Sequence, residues 1–382
     1  ALNGVDLLGI RSKTKVTRKV LEAHKSLMAV GAFCIGTNQI DLEAANDTAT
    51  AVFNAPYSNT RSVVELALGC IISMARRLSD RNQKMHEGIW DKSAEGSHEV
   101  RGRSLGIVGY GNIGSQLSVL AEQLGMQVYY YDIEDKLALG NAQRCRSLDE
   151  LLDTVETVTI HVDGRASNRN FFGAEQFAKM RPRSMFLNLA RGHLVDIDAL
   201  HDALASGHLA GAAVDVFPEE PKRRGDTFQT PLQGLSNVIL TPHIGGSTME
   251  AQVDIGRFVA SKFLDYTGTG STTLSVNLPT VQLEKDIRGT RLLHLHKNVP
   301  GVLARVNGVL GDHGVNIDRQ QLATRGEVGY AVTDASDLTQ DVIDAILAMP
   351  ETMRLATIKG DASGHNEHNL DAVDTGEGHA QD

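Results

Sequence analysis

The sequence has little of what marks a disulfide-stabilised or membrane-spanning protein. Cysteine occurs at three scattered positions in 382 residues, Cys34, Cys70 and Cys145, with no Cys-x-x-Cys spacing, which is typical of proteins that stay reduced in the cytoplasm. No run of about 18 apolar residues is present, so a membrane-spanning helix is not expected. The 37 lysines and arginines are outnumbered by 47 acids, giving a net charge of -10. This balance argues against nucleic-acid and anionic-membrane partners, because both require a basic surface.

Basic and large apolar residues are also scarce at the C-terminus. Residues 361–382 contain six acids and no lysine or arginine, a composition that cannot bury enough apolar surface to offset the entropy of ordering. We therefore predict a disordered acidic tail over 361–382. Its histidines are candidate metal ligands, but a solvated tail is the favoured interpretation, and no metal site is predicted. These histidines are His365, His368 and His379.

Alternating apolar strands and helices run through most of the chain. Short apolar runs at 5–10, 28–32 and 52–54 are separated by helical stretches, and a longer series runs from 105 to 240. This order predicts an α/β fold with two doubly wound, Rossmann-like domains, the first formed by residues 1–58 and 246–287 and the second by 59–245. A doubly wound domain should have a strand and a helix before Val5, so we expect the first domain to be truncated at its N-terminus.

A different pattern begins at Gly289. After a helical stretch at 250–266 and a linker-like stretch at 267–273, residues 289–360 have the order strand, helix, strand, strand, helix, strand. This βαββαβ order predicts a C-terminal ferredoxin-like domain. Modules of this size usually bind a small ligand or another subunit.

A glycine-rich turn joins a strand at 105–108 to a helix at 113–124 as G-x-G-x-x-G. In this context the glycines permit a tight turn, the approach of a pyrophosphate and close helix–strand packing, while the helix N-terminus offers N–H donors. The next strand ends at Asp132, where an acid binds the ribose hydroxyls, and no adjacent arginine would accept a 2′-phosphate. The pattern therefore predicts NAD rather than NADP. The candidate cofactor-binding residues are Gly109, Gly111, Asn112, Ile113, Gly114 and Asp132.

Three ionisable residues, Arg191, Glu220 and His243, follow predicted strands of the same domain. Histidine can accept the hydroxyl proton when an alcohol is oxidised, and a neighbouring carboxylate raises its pKa. Arginine can bind a carboxylate through two hydrogen bonds. Each residue also has a simpler interpretation, as a loop histidine, a surface arginine or a solvated acid. The presence of all three favours a catalytic group.

Six segments together resemble the D-isomer-specific 2-hydroxyacid dehydrogenase family, in the form with a C-terminal ACT regulatory domain. The segments are 36–41, 54–62, 109–114, 188–192, 215–221 and 241–248. The resemblance extends from Val5 to Lys359 and implies a substrate-binding first domain, an NAD-binding second domain and an ACT domain at 289–360. It places Arg191, Glu220 and His243 at catalytic positions. It also implies that the cofactor-binding set is completed by Ala190, Arg191, Asp215 and His243.

The resemblance further implies NAD-dependent oxidation of 3-phosphoglycerate to 3-phosphohydroxypyruvate. Several cations and polar groups would bind the carboxylate and phosphate of this substrate. These residues are Arg11, Ser12, Lys13, Asn59 and Lys92. Two alternatives stay open: reduction of another 2-oxo acid such as 2-oxoglutarate, hydroxypyruvate or glyoxylate, and a non-catalytic nicotinamide-sensing protein.

In the ACT domain, His296, Asn298 and Asn316 stand where similar enzymes bind L-serine. The resemblance implies feedback inhibition by serine across an ACT–ACT interface, and hence a homo-oligomer, a dimer or a tetramer. A purely dimerising domain is the alternative. Arg288 and Gly289 replace a double-glycine hinge, which leaves the strength of inhibition open.

Overall fold

The computed structural model describes residues 2–221, 223, 225–287, 289–360 and 370–372. The chain divides into two compact units, residues 1–58 with 253–382 and residues 59–252. The first 58 residues form β1 (Leu7–Ile10), α1 (Arg18–Ala23), β2 (Ala29–Ala32), α2 (Leu42–Asp47) and β3 (Ala51–Asn54). The three strands make a parallel sheet in the order β1-β2-β3. Asp41 begins α2 by accepting a hydrogen bond from the Ala44 N–H at 2.9 Å, as an N-cap residue does.

The second unit is a seven-stranded sheet with helices between its strands. Its elements are α3 (Thr60–Ala75), α4 (Leu78–His86), β4 (Ser104–Val108), α5 (Asn112–Gln123), β5 (Gln127–Tyr131), β6 (Gln143–Arg144), α6 (Leu148–Thr154), β7 (Thr157–Ile160), α7 (Ala174–Lys179), β8 (Ser184–Asn188), α8 (Ile197–Ala205), β9 (Leu209–Val214) and β10 (Val238–Leu240). The strands are parallel in the order β10-β9-β8-β7-β4-β5-β6.

Both faces of this sheet are buried. The neighbouring residues Phe186 and Leu187 of β8 point to opposite faces and belong to different apolar clusters. The first cluster includes Leu151 and Phe172, and the second includes Leu117. Because both faces are covered, the central strands are continuous apolar runs instead of alternating ones.

The chain returns to the first unit through α9 (Met249–Thr269) and then forms the ferredoxin-like domain. Its elements are β11 (Thr290–Lys297), α10 (Val302–Asp312), β12 (Ile317–Arg325), β13 (Val328–Ala335), α11 (Gln340–Leu347), β14 (Thr352–Lys359) and β15 (Leu370–Ala372). The antiparallel sheet has the order β12-β13-β11-β14-β15. The predicted α/β fold class with a C-terminal ferredoxin-like domain is confirmed.

One face of the ferredoxin-like sheet shares an apolar cluster with the N-terminal residues of the same unit. Leu293 and Tyr330 of the sheet pack in one cluster with Met28, Phe53 and Tyr266. The first unit is therefore built around a core to which both ends of the chain contribute.

The structure differs from the sequence-based predictions in two segments, the predicted linker at 267–273 and the predicted disordered tail at 361–382. The stretch at 267–273 is not a solvated linker, because α9 continues to Thr269 and Thr272 is fully buried. The Thr272 hydroxyl donates to the Pro279 carbonyl at 2.6 Å and accepts from the Val281 N–H at 2.9 Å. In the predicted disordered tail, residues 370–372 instead form β15, which pairs with β14. This pairing is possible because an edge strand such as β14 presents unpaired main-chain N–H and C=O groups. The remainder of that tail and its three histidines lie outside the described residues.

Candidate active site

The candidate residues of the second unit follow the carboxyl ends of its parallel strands. Gly109 follows β4, Asp132 follows β5, Asp215 follows β9 and His243 comes three residues after β10. In a parallel sheet these ends meet at one edge, where doubly wound proteins bind ligands. The strand order therefore gathers residues that are far apart in the sequence.

The glycine loop has the geometry of a dinucleotide cradle. Gly109 has φ +93°, and a Cβ there would lie 2.8 Å from the His161 main chain. A Cβ at Gly114 would lie 2.3 Å from the Gly109 carbonyl oxygen, so glycine brings α5 close to β4. An added Cβ at Gly111, by contrast, would meet no heavy atom within 4 Å. Open space thus lies at the start of α5, where Asn112 and Ile113 begin the helix, and this arrangement fits a pyrophosphate.

Asp132 ties the glycine loop to the end of β5. Its Oδ2 accepts from the Tyr110 N–H at 2.7 Å and its Oδ1 from the Glu134 N–H at 2.9 Å. Each carboxylate oxygen has a further lone pair, so Asp132 can also accept a ribose hydroxyl.

His243 and Glu220 form a direct pair. Nδ1 of His243 lies 2.8 Å from Oε2 and 3.0 Å from Oε1 of Glu220. The hydrogen bond to Glu220 raises the pKa of His243 above its ordinary value, although burial opposes this. Burial alone would raise the pKa of Glu220, but the bonds from His243 and the Phe217 N–H hold it below its ordinary value. In His161, by contrast, burial lowers the pKa to about 4. His243 is therefore suited to carry a proton near neutral pH.

The loop that carries His243 is held by Asp215, which is only 2% exposed. Oδ1 of Asp215 accepts from the Thr241 hydroxyl at 2.6 Å and the Ile244 N–H at 2.8 Å, and Oδ2 accepts from the Gly245 N–H at 2.8 Å. His243 itself has φ +54°, an uncommon conformation outside glycine. These bonds hold that conformation.

Arg191 leaves β8 through a turn closed by Asn188. The buried Asn188 side chain accepts from the Ala190 N–H at 3.1 Å and donates to the Arg191 carbonyl at 3.1 Å. The Arg191 guanidinium is close enough to oppose the protonation of His243 and to favour the ionised form of Glu220. The three predicted catalytic residues thus lie together at one edge of the sheet.

Sequence reasoning missed the residues that shape these loops. Asn188 and Thr241 begin the segments 188–192 and 241–248, but the sequence alone indicates no role for them, although both make hydrogen bonds that position Arg191 and His243. Gly192 was also missed: a Cβ there would lie 1.9 Å from the carbonyl carbon of Phe217. A polar residue at the end of an apolar strand, and a glycine after a functional side chain, are the signals that could have identified them.

The predicted substrate residues fall in both units. Asn59 precedes α3, and a Cβ at Gly246 would lie 2.2 Å from its side-chain nitrogen, so Asn59 contacts the loop after His243. Lys92 is exposed in the segment after α4. The remaining residues, Arg11, Ser12 and Lys13, are exposed directly after β1 in the first unit.

The predicted effector residues lie in or beside two strands of the ferredoxin-like domain. His296 is buried in β11, where its Nδ1 bonds the Lys297 carbonyl at 2.8 Å and its Nε2 has no hydrogen-bond partner among the described residues. Asn298 follows β11 and donates to the Gly326 carbonyl at 2.9 Å. Asn316 is exposed immediately before β12.

Comparison with known proteins decides the family. Residues 68–245 match the D-isomer specific 2-hydroxyacid dehydrogenase NAD-binding domain, and residues 292–354 match an AHAS small subunit-like ACT domain. D-3-phosphoglycerate dehydrogenase of Escherichia coli (strain K12) is 49% identical over 357 residues, covering 93% of this chain and 87% of that protein. The corresponding Haemophilus influenzae protein is 52% identical, covering 87% of this chain and 82% of that protein. The chain belongs to the D-3-phosphoglycerate dehydrogenases. It is an NAD-dependent member of the D-isomer-specific 2-hydroxyacid dehydrogenase family.

Solved structures agree with this family at the level of the fold. D-2-hydroxyisocaproate dehydrogenase has a TM-score of 0.68 at 24% identity, covering 72% of this chain and 87% of that one. An NAD-dependent formate dehydrogenase from Staphylococcus aureus in complex with NAD has a TM-score of 0.58 at 27% identity, covering 69% of this chain and 81% of that one. Within the described ranges, no helix combines the length and apolar character needed to cross a membrane.

Proposed function

We propose that this D-3-phosphoglycerate dehydrogenase oxidises 3-phosphoglycerate to 3-phosphohydroxypyruvate, the first step of L-serine synthesis, in the cytoplasm. The observation that carries the proposal is the 2.8 Å pair of His243 and Glu220 beside Arg191, at the sheet edge that also holds the glycine loop. The substrate in the names of the Escherichia coli and Haemophilus influenzae relatives supports the choice of hydroxy acid.

The cofactor supplies a hydride acceptor when it is bound. Nδ1 of His243 faces Glu220, which leaves Nε2 to take the proton from the substrate C2 hydroxyl as the C2 hydrogen departs. The imidazolium that results is stabilised by the adjacent carboxylate, and in the reverse direction it returns the proton to the carbonyl oxygen. The Arg191 guanidinium binds the substrate carboxylate and polarises the neighbouring carbonyl.

The phosphate end of the substrate needs positive charge. Lys92, Arg11 and Lys13 are exposed cationic residues, and we assign them, with Ser12 and Asn59, to binding the substrate's charged groups. Asp215 buries its carboxylate in the His243 loop, and its place after β9 supports a contact with the nicotinamide edge of the cofactor.

The regulatory part of the proposal rests on the ACT domain. We assign His296, Asn298 and Asn316 to binding L-serine between two ACT domains of a homo-oligomer. The exposure of Asn298 and Asn316 supports contact with a second chain.

Catalysis is tested by following the absorbance of NADH with 3-phosphohydroxypyruvate as the substrate. The same assay is repeated with 2-oxoglutarate, hydroxypyruvate and glyoxylate as alternative substrates. We expect the highest kcat/KM for the phosphorylated substrate. His243→Asn, which tolerates the positive φ, should lower kcat by roughly 100-fold or more while NADH fluorescence still reports binding. His201→Gln, on the exposed surface of α8, is the control. A preference for an unphosphorylated 2-oxo acid would contradict the substrate assignment.

Addition of L-serine to the same assay tests regulation separately. We expect inhibition that Asn298→Ala weakens without changing the uninhibited rate. Turnover that is insensitive to serine in the unaltered protein would refute the effector assignment and leave the catalytic one standing.

A further inference from the structure

A cavity lies at the opposite edge of the NAD-binding sheet from the glycine loop. It has a volume of about 240 Å³. Arg103 precedes β4, Glu156 precedes β7, Arg183 precedes β8 and Asn237 precedes β10, and all four line it. Because the strands are parallel, these residues mark the amino-terminal edge, away from the edge that carries His243. The cavity is therefore distinct from the active site.

The lining of this cavity is strongly cationic. Four arginines and one histidine face a single acid, and the set is Arg77, His98, Arg103, Arg181, Arg183 and Glu156. Glu156 is already engaged, because it accepts from Arg103 at 2.9 Å and from the Ser104 N–H at 3.2 Å. The protein as a whole is acidic, with a net charge of -10, so positive charge is concentrated here against the overall trend.

Several guanidinium N–H donors of these arginines make no hydrogen bond within the part of the chain that the structure describes. Arg77 bonds Asp80 at 2.6 Å and Ser236 at 2.8 Å through Nη2 alone. Arg181 makes one long bond of 3.3 Å to the Thr154 carbonyl. The Arg183 guanidinium bonds no residue that the structure describes. Since each guanidinium has five N–H donors, an anion in the cavity would meet several of them.

A buried hydroxyl in the same wall also lacks a partner. Ser184 is 2% exposed, and its Oγ has no hydrogen-bond partner among the described residues. A buried polar atom without a partner is unfavourable unless a ligand or water satisfies it. Ser184 directly follows Arg183 and lines the cavity, so a bound oxyanion would be the acceptor that this hydroxyl lacks.

The backbone around the cavity is held in an uncommon conformation. Arg77, Arg183 and Asn237 all line it with positive φ, at +51°, +66° and +56°. Left-handed backbone at residues other than glycine is unfavourable and concentrates at functional sites. At Arg183 a glycine would adopt this backbone without strain, whereas an arginine occupies the position.

We propose that this arginine cavity is a binding site for a phosphate group, held by Arg181, Arg183, Arg77 and the Ser184 hydroxyl. Its size suits inorganic phosphate or the phosphoryl end of a small metabolite. A bound phosphate joins the start of β8 to the turn between α3 and α4 and so stabilises the NAD-binding unit.

The test uses the full chain and inorganic phosphate, with ionic strength held constant by sodium chloride. Phosphate should raise the Tm of the unaltered protein. Arg183→Gly removes the guanidinium and relaxes the backbone, so it should raise the Tm without phosphate but lose at least half of the rise that phosphate causes. Arg183→Lys should keep most of the rise, and Arg101→Ala, at an exposed arginine paired with Glu99, should keep all of it. The active site is unchanged in all of these variants, so its own affinity for phosphate cancels.

A second arm replaces phosphate with glycerol 3-phosphate. A larger Arg183-dependent rise with glycerol 3-phosphate identifies a phosphorylated metabolite as the ligand, and a larger rise with phosphate identifies the free ion. An equal phosphate-induced rise in Arg183→Gly and the unaltered protein would overturn the proposal, as would the lack of any rise with either compound.

Discussion

Asp215 binds the main chain on both sides of the His243 side chain. The His243 N–H donates to the Asp215 carbonyl at 2.8 Å, and the Ile244 N–H donates to the Asp215 carboxylate at 2.8 Å. The residue at the end of β9 thereby sets the backbone of the loop after β10. His243 depends for its position on a residue that is 28 positions earlier in the sequence.

Replacing Asp215 with asparagine should weaken this loop. Both carboxylate oxygens accept hydrogen bonds, and an amide would place an NH₂ group against an N–H or hydroxyl donor. We expect the free energy of unfolding to fall by about 1–3 kcal/mol and kcat to fall with it, measured by urea unfolding and steady-state kinetics. Asp202→Asn, at an exposed position of α8, should change stability by no more than about 0.5 kcal/mol. Equal effects of the two substitutions would contradict the role of Asp215.

The Glu220→Gln variant tests the proton-transfer pair through pH. Glu220 raises the pKa of His243, so its loss should lower that pKa. Oxidation requires neutral His243, so the acid limb of the pH profile of kcat/KM for oxidation should move to lower pH. Reduction requires the imidazolium, and its activity should therefore be lost at lower pH than in the unaltered protein. Profiles of kcat/KM in both directions measure the shift.

Glu219→Gln is the matched control for this shift, since it removes an exposed acid from the same loop. If both profiles of Glu220→Gln coincide with those of the unaltered protein, His243 is not the titrating group.

Gly192→Ala should displace Arg191. The added Cβ would lie 1.9 Å from the carbonyl carbon of Phe217, so the turn must shift, at about 1–3 kcal/mol of stability and with a higher KM for the substrate. The control is Gly69→Ala in α3, where a Cβ meets no heavy atom within 4 Å and helix propensity favours alanine by about 0.5–1 kcal/mol. The two substitutions should move the urea midpoint in opposite directions.

Two glycines of the glycine loop should affect cofactor binding and stability separately. At Gly111 a Cβ has open space in the protein, so Gly111→Ala should leave the Tm unchanged but raise the KM for NAD roughly tenfold, because the methyl group obstructs the pyrophosphate. Gly114→Ala should instead lower the Tm, since its Cβ would lie 2.3 Å from the Gly109 carbonyl oxygen. An unaltered KM for NAD in Gly111→Ala would place the pyrophosphate elsewhere.

Local patterns were sufficient to predict the glycine loop, the placement of Arg191, Glu220 and His243 at one sheet edge, and the ferredoxin-like order. The glycine spacing is recognisable because each glycine permits a tight turn, the approach of a pyrophosphate or close helix–strand packing. The carboxyl ends of parallel strands meet at one edge of the sheet whatever their separation in sequence. Their contacts were less predictable. The hydrogen bonds of Asn188, Thr241 and Asp215 depend on loop paths that no periodicity describes. The segment around Thr272 has a polar, glycine-rich composition, and only the tertiary fold buries it.

The apolar cluster that Leu293 and Tyr330 share with Met28 and Phe53 makes the ACT domain structurally inseparable from the rest of its unit. A chain shortened before Thr290 would expose the N-terminal side of that cluster to water and create a sticky surface. The ACT domain therefore cannot be deleted without disturbing the core of the rest of its unit. The proposed serine regulation has to be tested by point substitution, with the sheet left in place as part of the scaffold.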